Sequence, residues 1–282
     1  MAISYSKIIK HPRIFLRLFG ITSEQFEIIA KNLEPLWQKN VISKYKRPGR
    51  NYKLSLQQML MMLLLYYRTY STMMQIGFMF GVDDSRVCRI IKTLEPLVVG
   101  LVAITKNRTL THEETAHLID VTEQVIERPI RGQKDYFSGK KRRHTFKTEI
   151  RVTSEGRICN ISRTYKGKVH DFKVHKMSDP IPIKTRVYAD SGYQGLRKIC
   201  RYARTPIKKT KKKPLSLRQK RYNNLLAKKR IKVENTIAAM KNFRVLSHRY
   251  RNKRKAYNLK FNIVAGIVNL KNGFMNKTLS VS

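Results

Sequence analysis

The sequence predicts an all-α domain over residues 1–105, then an α/β domain with a mixed sheet and flanking helices over 106–275, and a short tail over 276–282. Two changes along the chain carry that division. Up to about residue 105 the apolar residues recur at helical spacing, and after Lys106 they fall into short alternating runs separated by turn residues. The third observation concerns charge. From Ser191 to Ser282 a single carboxylate, Glu234, stands among 26 Lys and Arg.

The whole chain is strongly basic too, though less lopsided than its last third. Sixty Lys and Arg face 18 Asp and Glu, a net charge of +42 over 282 residues. Such an excess repels itself in a compact state, so a polyanionic partner is expected. Nucleic acid is favoured over a membrane, because the longest apolar run, "MLMMLLLYY" (Met59–Tyr67), is far too short to span a bilayer. Lys7, Lys10 and Arg13 interrupt any leader-like stretch, and Cys88, Cys159 and Cys200 form no pairing framework, so a cytoplasmic protein is expected. A ribosomal or architectural protein would carry the same charge, and charge alone leaves that open.

In the N-terminal part, "SEQFEIIAKNLEPLW" (Ser23–Trp37) and "SLQQMLMMLLLYYRTY" (Ser55–Tyr70) read as helices with capping residues at their starts. Between them "SKYKRPGRNYK" (Ser43–Lys53) reads as a basic linker broken by Pro48-Gly49. Then "MMQIGFMFGVDDSRVCRIIKTL" (Met73–Leu94) gives two short helices, with Gly81 at a left-handed helix end and Asp83 or Asp84 capping the second. This spacing fits a DNA-reading helix-turn-helix and an ordinary helical hairpin equally well, and the charge favours the first. On its second helix Arg86, Arg89 and Thr93 share one face as candidate DNA contacts.

Beyond Lys106, strands are expected at His117–Glu127, Lys141–Thr153, Arg157–Tyr165 and Thr185–Tyr193, with a last short one near Arg204–Lys209. Short helix His170–Met177 separates the third and fourth. Two helices follow, around Leu215–Leu226 and Ala227–Lys241, and an amphipathic helix spans about Lys255–Leu270. Hairpin-linked strands followed by parallel crossovers suit this order. Lys140, Lys141 and Arg142, entering the second strand, are candidate DNA contacts.

Asp120 lies within an apolar strand, where an unpaired carboxylate is costly. Asp190 closes another such strand, and Glu234 borders the Val233–Ile237–Met240 stripe of its helix. If the first and fourth strands are neighbours, the three acids can converge with the helix supplying Glu234. Three carboxylates offer the oxygen ligands Mg²⁺ takes, and paired ions of that kind drive phosphodiester displacement. Each acid also has a plainer reading: a strand ion pair for Asp120, a turn former before Ser191-Gly192 for Asp190, and a salt bridge to Arg230 for Glu234.

Taken together, "HLIDVTEQVIERP", "SGKKRRHTFKTEIRV", "KGKVHDFKV", "YADSGYQG" and "RIKVENTIAAMKNFRVL" resemble DDE-type transposases of bacterial insertion sequences, of the insertion-sequence-five family and the related Harbinger elements. The Arg, three residues, Glu, six residues, Lys signature is present as Arg230, Glu234 and Lys241; the second-acid signature is Asp190, Gly192 and Tyr193. The similarity runs from about Tyr52 to Leu270. It implies a ribonuclease-H-like endonuclease domain that uses Mg²⁺ (Mn²⁺ as a substitute), binds terminal inverted repeats and target DNA, and performs cleavage and strand transfer. Asp120, Asp190 and Glu234 become the catalytic and metal-holding residues, with Arg230 and Lys241 contacting DNA. A homodimer or larger assembly on DNA, at the nucleoid of a bacterial cytoplasm, is implied as well. No extra domain is expected in "KKTKKKPLSLRQKR" (Lys208–Arg221). Asp171 is expected as a helix cap, Glu123 as pointing away from Asp120, and Glu149 as an auxiliary ligand at most. The alternatives are a catalytically inactive, domesticated DNA-binding descendant and a structure-specific nuclease without strand transfer.

Overall fold

The structure is a computed structural model and describes residues 3–43, 52–104, 116–182, 185–210, 214–275 and 279. Most of the expected linker (44–51), the residues joining the two expected domains and nearly all of the tail lie outside the described residues. The protein divides into two compact units, Met1–Ala103 with Met240–His248 and Lys253–Ser282, and Ile104–Ala239 with Arg249–Asn252.

The first unit is helical: α1 (Tyr5–Ile8), α2 (Pro12–Phe19), α3 (Ser23–Trp37), α4 (Leu56–Thr69), α5 (Met73–Phe80) and α6 (Asp84–Val102), joined by the C-terminal α10 (Tyr257–Lys271). Three helix starts use one device. Thr22, Ser55 and Thr72 each accept the backbone N–H of the Gln three residues on, and that Gln accepts the cap residue's own N–H. Each pairing satisfies two donors that a helix start otherwise leaves unpaired. The run Met59–Tyr67 is buried all round, as a helix without a polar face must be.

Helix α10 is equally apolar, and every residue from Ile263 to Leu270 is buried. In order along the chain it falls in the expected second domain, yet it packs in the first unit, against α6. Gly266 permits that approach: a Cβ there would sit 1.9 Å from the Val102 carbonyl oxygen and 2.9 Å from the Val102 Cβ. The buried Glu95 of α6 is met by Lys260 Nζ from α10 and by the Tyr67 hydroxyl at 2.9 Å, so neither charge is left alone in the core.

The second unit is a mixed sheet with flanking helices. Its strands are β1 (Ala116–Val125), β2 (Phe137–Ser138), β3 (Arg143–Thr153), β4 (Ile158–Ile161), β5 (Tyr165–Lys166), β6 (Arg186–Tyr188) and β7 (Ala203–Arg204). The order is β2-β3-β1-β6-β7, with β4 and β5 also on β3. β3 runs antiparallel to β1, β4 and β5; β6 lies parallel to β1 and β7 parallel to β6. This is the hairpin-then-crossover arrangement expected of a ribonuclease-H-like sheet. Short α7 (Gln133–Tyr136) and α8 (Asp171–Lys176) and the long α9 (Leu217–Lys241) complete the elements.

Four local expectations change. The third strand is split into β4 and β5. The last strand is only two residues long, at Ala203–Arg204, earlier than expected. The two helices expected across Leu226–Ala227 are one 25-residue helix, α9, because that stretch contains neither Gly nor Pro to end a turn. Lastly, the cap of α8 is His170, whose Nδ1 accepts the Phe172 N–H at 3.3 Å; Asp171 is instead the first helical residue and pairs with Lys147.

Replacing Gly266 with Ala forces α6 and α10 apart and is expected to cost about 1–3 kcal/mol, as overpacking does in close-packed cores. A lowered denaturant midpoint with an unchanged slope would register it.

Candidate active site and nucleic-acid interface

Register brings two of the acids side by side. On the parallel β1–β6 pair Leu118 faces Tyr188. Two residues further along each chain come Asp120 and Asp190. Strand β6 stops at Tyr188, and Asp190 then caps a short 3-10 turn over Ser191–Tyr193, its side chain accepting the Ser191 N–H. Asp120 remains within β1, opposite Ile150 of β3, and its carboxylate accepts the Val121 N–H at 2.8 Å. A central strand carrying a carboxylate holds it against the face of the sheet rather than in open water.

Helix α9 adds the third acid and a cation on the same turn. Arg230 Nη2 lies 3.4 Å from Glu234 Oε1, four residues on, and 3.8 Å from Asp120 Oδ2; Arg230 Nη1 lies 3.5 Å from Asp190 Oδ1. Three carboxylates remote in sequence thus share one guanidinium. The Arg230 side chain is 12% exposed, and the acids open progressively outward, from Asp120 at 25% to Asp190 at 43% and Glu234 at 56%. Glu234 is therefore more exposed than its position beside the buried Val233 and Ile237 suggests.

Burial pushes the Asp120 carboxyl up to about 6; Arg230 and the Val121 N–H oppose that rise, and the charges of Asp190 and Glu234 add to it. The patch is thus one in which a further positive charge is favoured. Among the described residues no three His, Cys, Asp or Glu side chains stand ready-made to hold a metal ion. Carboxylate oxygens are nevertheless the hard donors that Mg²⁺ and similar cations take, so the donor chemistry fits a divalent ion.

The plainer readings of the acids hold in part. Glu234 does pair with Arg230, and Asp190 does shape a turn, but both share their cation with Asp120 rather than pairing apart. The other acids go elsewhere. Glu149 is fully buried and accepts from Arg151 Nε at 3.0 Å, from His175 Nδ1 at 2.9 Å and, at 3.4 Å, from the Tyr193 hydroxyl. That inward pairing leaves it no part as an auxiliary ligand. Burial disfavours a charge on His175, yet hydrogen bonds with Cys200 and Glu149 carry its pKa to about 9. Glu123 and Asp171 share Lys147, at 3.4 and 2.8 Å. Sequence spacing did not disclose this layer beneath the Asp190 turn, because its members lie on four separate elements.

The remaining candidates are exposed. Arg86, Arg89 and Thr93 lie on the surface of α6, which is capped by Asp83, whose Oδ1 accepts the Arg86 N–H at 2.9 Å. Arg89 folds back on its own helix, with Nη2 2.9 Å from Ser85 Oγ. Gly81 ends α5 at φ 67°, and Gly77 lets the turn close, since a Cβ there would lie 2.4 Å from the Val82 carbonyl oxygen. Lys140, Lys141 and Arg142 stand on the turn between β2 and β3, not on the strand itself. Lys241 is exposed at the end of α9. One residue the sequence did not single out is Lys229, whose Nζ lies 3.1 Å from the Tyr188 hydroxyl and over that ring at 4.8 Å. Its only sequence signal is a place beside Arg230.

No helix among the described residues is long and apolar enough to cross a membrane. Residues 119–269 match the family model described as DDE superfamily endonuclease, and residues 52–102 match the helix-turn-helix of DDE superfamily endonuclease. The first match takes in the three acids and most of α10; the second covers α4 to α6. A probable transposase for insertion sequence element IS702 from Microchaete diplosiphon is 35% identical over 263 residues, covering 91% of this chain and 94% of that protein. No solved structure matches. Endonucleases of this superfamily typically use divalent metal ions. With more than half of its length matching the nuclease model and nearly all of it aligning to such a transposase, the chain belongs to the DDE superfamily of endonucleases, as an insertion-sequence transposase with a helix-turn-helix domain ahead of its nuclease domain.

Proposed function

We propose that this transposase recognises the terminal inverted repeats of its element through α5 and α6, and cuts and joins DNA with Mg²⁺ held by Asp120, Asp190 and Glu234. Mn²⁺ is the natural substitute. The observation that carries this reading is the meeting of three distant carboxylates around one guanidinium at the parallel β1–β6 junction. A bound Mg²⁺ supplies the charge that activates a water or 3′-hydroxyl and stabilises the departing oxygen.

The chain's own residues do the rest. Asp120, Asp190 and Glu234 hold oxygen ligands on one patch. Lys241, Lys140, Lys141 and Arg142 offer cations to the phosphate backbone, Arg230 meets a phosphate only where DNA reaches the acids it already pairs with, and Arg86, Arg89 and Thr93 present hydrogen-bonding groups to base edges. Target DNA is the second substrate. Bridging two element ends calls for a homodimer or larger assembly, working at the nucleoid of the bacterial cytoplasm. An idle DNA-binding descendant is the other outcome the test recognises.

With a supercoiled plasmid carrying the element's ends and Mg²⁺ or Mn²⁺, the wild-type chain is expected to nick at the ends. Asp120→Ala, Asp190→Ala or Glu234→Ala should lower that cutting by about 10³-fold or more, since the charge stabilisation at stake is several kcal/mol, while DNA binding persists. Retained nicking by a variant would remove that acid from the reaction, and binding without any nicking by the wild type would favour the idle descendant.

Alanine at Arg86 or Arg89 should weaken binding to the terminal sequence by about 1–3 kcal/mol and relax its selectivity. Equal loss on every sequence in a gel-shift series would mark the lost contact as a phosphate contact instead.

A pH dependence follows from Asp120. Its carboxyl titrates near 6 in the folded protein, above the roughly 3.9 of an unfolded chain. Between those values the unfolded chain releases the proton first, so folding stability falls as pH rises through the window. Melts in chelator should show that fall, and Asp120→Asn should flatten it. Cutting should rise over the same interval, because only the ionised carboxylate holds a cation.

A further inference from the structure

The helix-turn-helix carries an apolar feature that hydrogen-bonding readout leaves unexplained. Phe78 is 89% exposed and Met74 is 74% exposed. They sit one turn apart on α5, on the side away from the buried Ile76 and Phe80. Among the described residues of the first unit no other large apolar side chains are as exposed. Their placement is fixed at both ends of the helix, by the Thr72–Gln75 capping pair and by the left-handed Gly81. An exposed aromatic and thioether pair on a rigid helix marks a contact surface.

Its surroundings identify the occupant. Phe78 lines a shallow recess of about 510 Å³ together with Lys53, Gly77, Gly81, Val82, Asp83 and Arg86. Lys53 is held there by its Nζ, 2.6 Å from the Gly81 carbonyl oxygen. The carboxylate of Asp83, the one acid in the recess, is occupied in capping: it accepts from the Arg86 N–H and the Ser85 hydroxyl. What remains toward solvent is an aromatic ring sharing its recess with two cations. A second copy of this chain would bring the same cations against it and be repelled, whereas duplex DNA satisfies both: phosphates for Lys53 and Arg86, an apolar group for the ring. In the major groove that apolar group is the 5-methyl of thymine.

Resting on the reading of α5 and α6 as the sequence-reading element, we propose that Phe78, backed by Met74, reads a thymine methyl group next to the bases faced by Arg86. Phe78 is then a specificity determinant on the helix before the one that enters the groove. Its exposure means that Phe78→Ala removes no core packing, so the variant should fold with an unchanged melting temperature.

The test uses the full-length chain in chelator, so that binding is read without cutting. Duplexes selected from a random library by the wild type, by Phe78→Ala and by Arg86→Ala are sequenced. Phe78→Ala is expected to select the wild-type motif except for a lost thymine preference at one or two adjacent positions, distinct from those lost in Arg86→Ala. Replacing that thymine with uracil, which lacks the methyl, should weaken wild-type binding about fourfold, the worth of one buried methyl group, and leave Phe78→Ala unmoved. An unaltered motif, or equal wild-type affinity for thymine and uracil duplexes, overturns the proposal. A change in sedimentation of Phe78→Ala without DNA overturns it too, assigning the patch to self-association. If the wild type itself selects no motif, the failure lies with the reading of α5 and α6 as a sequence reader, and the proposal falls with it.

Discussion

One guanidinium makes the second unit's acid patch tenable. Carboxylates gathered within a few ångströms repel one another, and a partly buried one adds a desolvation cost. Arg230, within 4 Å of all three, offsets both at once. The geometry that brings it there has two parts: the parallel register that aligns Asp120 with Asp190, and the four-residue spacing on α9 that places Arg230 beside Glu234. Neither part works alone. Without the register the aspartates part company, and without α9 they face each other without a cation.

The layer under the patch supports it by the same logic of satisfied charge. Glu149, His175, Arg151 and Tyr193 form a hydrogen-bonded polar set inside the unit, so the Asp190 turn rests on partners that are themselves satisfied. In the first unit Glu95 and Lys260 play the equivalent part between α6 and α10, both side chains being almost fully buried. Buried ionic groups of this kind are costly to break singly, because the survivor is left alone. The two units therefore share a constraint: charge enters the core only as a completed set.

The helix-turn-helix of the first unit depends on backbone turns and a cap rather than on ion pairs. Gly77 and Gly81 let α5 turn into α6 within a few residues, and Asp83 then fixes where α6 starts. That fixes which side chains of both helices share a surface, and it is why Phe78 and Arg86 line one recess.

Local chemistry was legible in the residues themselves. Helix starts at Ser55 and Asp83, the glycine end of α5, the presence of strands β1 and β3, and the isolation of Glu234 all follow from short-range pattern, because caps, turns and extended runs involve neighbours in sequence; that β3 is buried on both faces does not. Pattern also overreached: it broke α9 in two where the backbone had no reason to stop, and assigned the α8 cap to Asp171 rather than His170. What only the tertiary structure decided was partnership. Which cation the acids share, where Glu149 spends its charge and which helix α10 joins depend on contacts between residues tens to hundreds of positions apart, and no spacing rule along a chain encodes a distance between two of its folded elements.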